Sequence, residues 1–259
     1  MIALALLLSA EPRSSLAQEA LPSGKATERD FGTIIRQSKW NVTTIPVCWE
    51  NAVEADASLR EVVRRAVLET WSRHSALEFT GWSQCEERSQ GIRIRVEEAH
   101  PHVKNIGRYL DGMPDGMVLN FTFQRWTPTC RLRFEFCVYA VAVHEFGHAI
   151  GFTHEQNRPD APEECKRDSQ GTVGDFLVTQ YDLHSIMNYC NPKWIGDGLL
   201  SELDIFSVQT VYGQRADSVG GTKVTRDSPP TGNPTPAIMP IAFTSSPADS
   251  AEGLSAVHP

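Results

Sequence analysis

No stretch of this 259-residue chain approaches the ~20 consecutive apolar residues that a bilayer-spanning helix needs, which argues against membrane insertion. A basic excess is missing too. The 24 Lys and Arg stand against 32 Asp and Glu, a net charge of -8, so no global positive field draws in nucleic acid or an anionic membrane. No internal repeat of solenoid or propeller length is evident. Cysteine is absent before Cys48 and after Cys190. The six between them form an even set in one central stretch, which fits disulfides in an oxidising compartment. With 41% hydrophobic and 22% charged residues the composition is globular, and the length suffices for a substantial core.

The two ends differ from the middle. Ile2 to Leu8 is a continuous apolar run followed by Ser9 and Ala10, which reads as the core of a secretory signal, although no Lys or Arg precedes it. Cleavage after Ala17 gives a signal peptide over 1–17 and a short segment over 18–39, and it predicts a secreted, extracellular protein. Residues 214–259 hold seven of the sixteen prolines and many Ser, Thr and Gly, the composition of a linker or disordered tail.

Between these ends, residues 40–213 alternate strand-like and helix-like segments. Thr44 to Trp49 is a short apolar strand. Ser58 and Glu61 match a capping box, and Leu59, Val62, Val63, Ala66, Val67 and Trp71 recur at helical spacing after it. Leu77 to Thr80, Ile92 to Val96 and Met117 to Phe123 read as further strands, the second alternating Ile92, Ile94 and Val96 with Arg93 and Arg95. Strand, helix, strand in succession implies a right-handed crossover and a partly parallel sheet, hence a mixed α/β class.

A helix over roughly Glu135 to Ile150 is apolar almost all round, so it is expected to be buried. Into it are set His144, Glu145 and His148. Four-residue spacing stacks the two imidazoles on one face, one turn apart, where they can share a metal ion. Gly151 ends the helix and turns the chain, bringing back His154. Three nitrogens with a fourth tetrahedral position left open is the donor set of a catalytic zinc. The remaining histidines, including His100 and His102 around Pro101, read as solvated or structural. Asp111 and Asp115, each before a glycine, read as turn residues.

The run His144-Glu145-Phe146-Gly147-His148-Ala149-Ile150-Gly151-Phe152-Thr153-His154 resembles the metzincin zinc peptidases. A second element agrees: Ser185-Ile186-Met187-Asn188-Tyr189 is similar to the turn whose methionine lies under the metal in that superfamily. Glu155 after the third histidine, with Arg158, Asp160, Tyr181-Asp182 and Tyr189, is similar to the astacin family. Leu200 to Gly213 looks like the closing helix of such domains, capped by Ser201. The resemblance covers about residues 40–213.

It implies one catalytic Zn2+ held by His144, His148 and His154, with Met187 beneath. Glu145 is then the general base toward a zinc-activated water, and Tyr189 the donor to the oxyanion. The implied activity is endopeptidase cleavage of extended polypeptide, with the substrate added as a strand beside Met117 to Phe123 as the sheet edge. Cys190 to Trp194 would border the pocket after the scissile bond. A silent secreted binding module that keeps the fold is the alternative. The chain departs from the astacin pattern in its cysteines, in Ala161 after Asp160, and around Asp30-Phe31-Gly32-Thr33, where the aspartate-switch order is not reproduced. Six cysteines allow fifteen pairings. Proximity in sequence favours Cys130 with Cys137 and Cys165 with Cys190, which leaves Cys48 for Cys85.

Overall fold

The computed structural model describes residues 33–216 apart from 126, 127, 168, 169 and 172. The expected signal peptide, most of the 18–39 segment and nearly all of the tail lie outside the described residues. The class is mixed α/β, as expected. Five strands form one sheet, β1 (Thr44–Trp49), β2 (Glu78–Gln84), β3 (Ile92–Val96), β4 (His102–Val103) and β5 (Met117–Leu119), in the order β2-β1-β3-β5-β4. All neighbours run parallel except β4, which is antiparallel to β5. The expected edge strand, Met117 to Phe123, is therefore interior and stops at Leu119. Asn120 ends it by accepting the amides of Thr122 and Phe123 on one side-chain oxygen, which curls the chain away from the sheet. The edge on that side is β4, too short to carry an alternation signal.

Helix α1 (Ala57–Val67) buries Val62, Val63, Ala66 and Val67, the face its spacing predicts. Its start differs from the expected Ser58–Glu61 box. A 3-10 turn over Glu54–Asp56 runs straight into it, so Ala57 is already helical and Ser58 never takes the extended conformation a cap requires. The helix widens into a π-helical turn over Leu68–Ser72, and there the Trp71 indole N–H donates to Val143 O at 2.8 Å. In β3 the expected alternation fails at Arg93. Its side chain is buried against Glu50 at 2.7 Å, so a charge that reads as solvent-facing is an internal ion pair.

Two helices carry the site. After the short α2 (Pro128–Leu132), α3 (Phe134–Ala149) runs through the core with 11 of its 16 residues buried, which is why its sequence is apolar on every face. Beyond α4 (Glu163–Lys166), the closing helix α5 (Glu202–Tyr212) is capped by Ser201 in a reciprocal box with Asp204 and stops at Gly213. The disulfides are Cys48–Cys85, Cys130–Cys137 and Cys165–Cys190, as proximity in sequence favoured. Packing also extends upstream of Trp40: Thr33, Ile34 and Ser38 are buried, and Ile34 bridges to Phe152 and Phe176. Among the described residues no helix is long and apolar enough to cross a membrane.

Candidate metal centre

His144 and His148 project from the last turns of α3. Gly151, at φ +102°, adopts a conformation open to glycine and closed to most side chains, and it returns the chain so that His154 faces them. The Nε2 of His154 lies 3.2 Å from that of His144 and 3.0 Å from that of His148. Among the described residues this is the one group of three or more metal-ligating side chains that converge.

The other ring nitrogens explain which atoms face the centre. His144 Nδ1 donates to Ile186 O, His148 Nδ1 to Phe152 O and His154 Nδ1 to Gln170 O, each at 2.8 Å. With Nδ1 carrying the proton, the lone pair sits on Nε2 in all three rings. Burial also favours the neutral form: desolvation pushes His144 down to about 3 and holds His148 and His154 below the ordinary histidine value. Three neutral imidazoles that converge through Nε2 fit one zinc ion, with its fourth position left to the cleft.

Glu145 projects beside them. Its Oε2 is buried and has no hydrogen-bond partner among the described residues, and desolvation raises the carboxyl to about 8. A buried acid left unpaired costs stability, so packing alone does not account for it. The Tyr189 ring lies 5.2 Å from that of His144 and 4.5 Å from that of His154, and burial pushes its hydroxyl well above its usual range, which keeps it a proton donor.

Met187 is buried under α3 at Gly147, between the two helical ligands. A methyl group on Gly147 would overlap the Met187 sulfur and sit 3.1 Å from Trp71 Cζ2. The turn holding Met187 is fixed from both sides. Asp204 of α5 accepts from Ser185 Oγ and from Ile186 N, while Met187 O accepts from Glu155 N directly after the third ligand. Gln156 Oε1 then receives Tyr189 N. Asp204 and Gln156 went unassigned in the sequence reading. The capping pattern Ser201-x-x-Asp204 was a visible trace of the first, since one carboxylate both caps α5 and clamps the turn.

A cleft of about 500 Å³ opens over this group, lined by Glu145, His148, His154 and Tyr189 on its floor and by the His100–Ile106 segment on its rim. His100 and His102, expected in a solvated loop, are exposed along that rim, and His102 begins the edge strand. Of the Cys190 to Trp194 segment, Trp194 borders a small apolar recess with Val141, Pro101 and Ile195, next to His144 and Glu145.

Residues 33–168 match the family model for the astacin peptidase family. Among curated proteins, the chain is 28% identical over 231 residues to the zinc metalloproteinase dpy-31 of Brugia malayi, a match covering 81% of this chain and 35% of that protein. It is 27% identical over 193 residues to protein SpAN of Strongylocentrotus purpuratus, over 66% of this chain and 28% of that one. The chain thus spans about a third of the length of the curated relatives it matches. Among solved structures, myroilysin superposes with a TM-score of 0.53 at 19% identity, over 71% of this chain and 100% of that one, a likeness of fold.

Proposed function

Since the chain belongs to the astacin family, we propose that it is a secreted zinc endopeptidase that hydrolyses peptide bonds in extended polypeptides. The observation that carries this reading is the unpartnered, buried Oε2 of Glu145, one residue from a zinc-binding imidazole. Zinc held by His144, His148 and His154 would supply a Lewis acid for the substrate carbonyl and lower the pKa of water to about 7. Glu145 takes a proton from the attacking water and returns it to the leaving amine. Tyr189, protonated, stacked on the His144 ring and tilted against the His154 ring, donates its hydroxyl to the oxyanion as charge develops.

Backbone pairing along the open side of β4 would hold the substrate extended over the cleft, in place of the Met117 strand first expected. The side chain after the scissile bond would enter the apolar recess at Trp194. Three disulfides and the apolar Ile2–Leu8 run support passage through an oxidising secretory route. The catalytic unit would then be the 40–213 region with its upstream packing segment, and the 214–259 tail would lie outside it. A silent binding module has no use for a buried, unpaired base beside the ligands, which speaks for the enzyme.

Hydrolysis of an unfolded protein substrate, with and without a chelator, tests the reading. The wild type should cleave it and stop when zinc is stripped, while Glu145→Gln should keep its zinc and lose roughly 10²-fold to 10⁴-fold in rate. Turnover near wild type in Glu145→Gln would remove the base from the mechanism.

A further inference from the structure

Only two positions in the sequence satisfy Asn-x-Ser/Thr with x other than proline: Asn41-Val42-Thr43 and Asn120-Phe121-Thr122. The fold treats them oppositely. Asn41, Val42 and Thr43 are all exposed in the segment leading into β1, and the Asn41 amide makes no hydrogen bond among the described residues. Asn120 is 1% exposed, its Nδ2 donates to Ala99 O at 3.0 Å, and its Oδ1 accepts from Thr122 N and Phe123 N. A sugar on that Nδ2 has no room in so buried a side chain and would displace its bond to Ala99 O.

We infer that Asn41 is an N-glycosylation site and that Asn120 is silent in the folded protein, an inference that rests on the secreted reading above. In the transfer, Asn41 Nδ2 attacks the anomeric carbon of a lipid-pyrophosphate-linked oligosaccharide. The N-glycosidic bond forms as the carbon–oxygen bond to pyrophosphate breaks. One amide proton leaves to a base of the transferase, the lipid pyrophosphate departs, and nothing is oxidised or reduced.

The surroundings of Asn41 suit an attached sugar. It lines a groove of about 560 Å³ together with Trp40, Gln90, Arg108, Tyr109 and Asp111. Tyr109 is 41% exposed, and the Arg108 guanidinium lies 5.6 Å from its ring centroid while its Nε donates to Gln37 O. A partly exposed aromatic ring takes the C–H side of a pyranose through its negative quadrupole, and the flanking polar groups meet the hydroxyls. The inner sugars therefore lie in this groove, away from the cleft that Glu145 lines.

The full chain is translated with microsomes twice, behind its own N-terminus and behind an added cleavable signal, and read as an endoglycosidase-sensitive mobility shift. Behind the added signal the expected result is one glycan, lost in Asn41→Gln and in Thr43→Ala and retained in Thr122→Ala, which spares the Asn120 side chain. A shift retained in Asn41→Gln, a shift lost in Thr122→Ala, or none behind the added signal overturns the proposal. A shift seen only behind the added signal rejects the native secretion signal and supports the glycan assignment. Removing the glycan from the folded protein should lower Tm in the wild type and leave it unchanged in Tyr109→Ala; an equal drop in both rejects the groove contact.

Discussion

Gly147→Ala tests whether Met187 holds the ligand-bearing turn of α3 in place. In an open helix the change would stabilise by roughly 0.8–1 kcal/mol, because alanine loses less backbone entropy than glycine. Here the new methyl overlaps the Met187 sulfur and reaches 3.1 Å from Trp71 Cζ2. The indole does not retreat, since it is fully buried, bonded to Val143 O and stacked on Phe152 with centroids 5.6 Å apart. The Met187 backbone is pinned by Ser185 Oγ and Glu155 N, so relief requires rotating its side chain or displacing the helix.

Overpacking of this kind costs about 1–3 kcal/mol, which offsets the helical gain and leaves a net loss of up to about 2 kcal/mol. Met187→Ala alone should cost about 2–5 kcal/mol. In that background the overlap is gone and the helical gain returns, so adding Gly147→Ala should stabilise by up to about 1 kcal/mol. The two substitutions would then couple by the overpacking cost, about 1–3 kcal/mol. Urea unfolding of all four proteins, zinc-free and with disulfides intact, measures this. Additivity within about 0.5 kcal/mol would refute the contact as the support of the metal-binding turn.

Tyr189→Phe keeps the ring against His144 and His154 and removes only the hydroxyl, so kcat should fall roughly 10²-fold to 10³-fold with KM and zinc content little changed. An unchanged kcat would make Tyr189 a packing residue. All six cysteines are paired in the structure, so alkylation of secreted protein before reduction should label none. Free thiols in that material would overturn both the pairing and the compartment.

What was legible in the sequence was whatever a side-chain pattern encodes. The apolar girdle of α3, the three histidines, the Ser201 cap and the Gly213 stop each leave a residue-type signature, and each lies where the pattern puts it. The edge strand was missed because two residues, His102 and Val103, cannot show a period. Arg93 misled because a charge has the same letter whether solvated or paired, and its partner Glu50 stands 43 positions away. Ser58–Glu61 misled differently: the motif is present, but the preceding 3-10 turn had already satisfied the helix start. The partners that set the histidine tautomers are backbone carbonyls, which carry no side-chain signature.

Those carbonyls divide the zinc site into two parts. His144 and His148 stand on a helix packed on all sides, and their Nδ1 partners, Ile186 O and Phe152 O, belong to the Met187 turn and the Gly151 turn, both anchored in the core. His154 is different, for its partner Gln170 O lies in the loop that Cys165–Cys190 closes over a 25-residue separation, and Tyr189 precedes the second of those cysteines. Ile186 lies inside the same disulfide loop, but it is fully buried and held by Asp204, whereas Gln170 is exposed and held by Asn157, so the covalent closure bears more on the third ligand and on Tyr189, the proposed oxyanion donor, than on the first two ligands. Losing that disulfide should then loosen His154 and Tyr189 together, weakening zinc and slowing turnover in a protein whose helical pair of histidines is still in place.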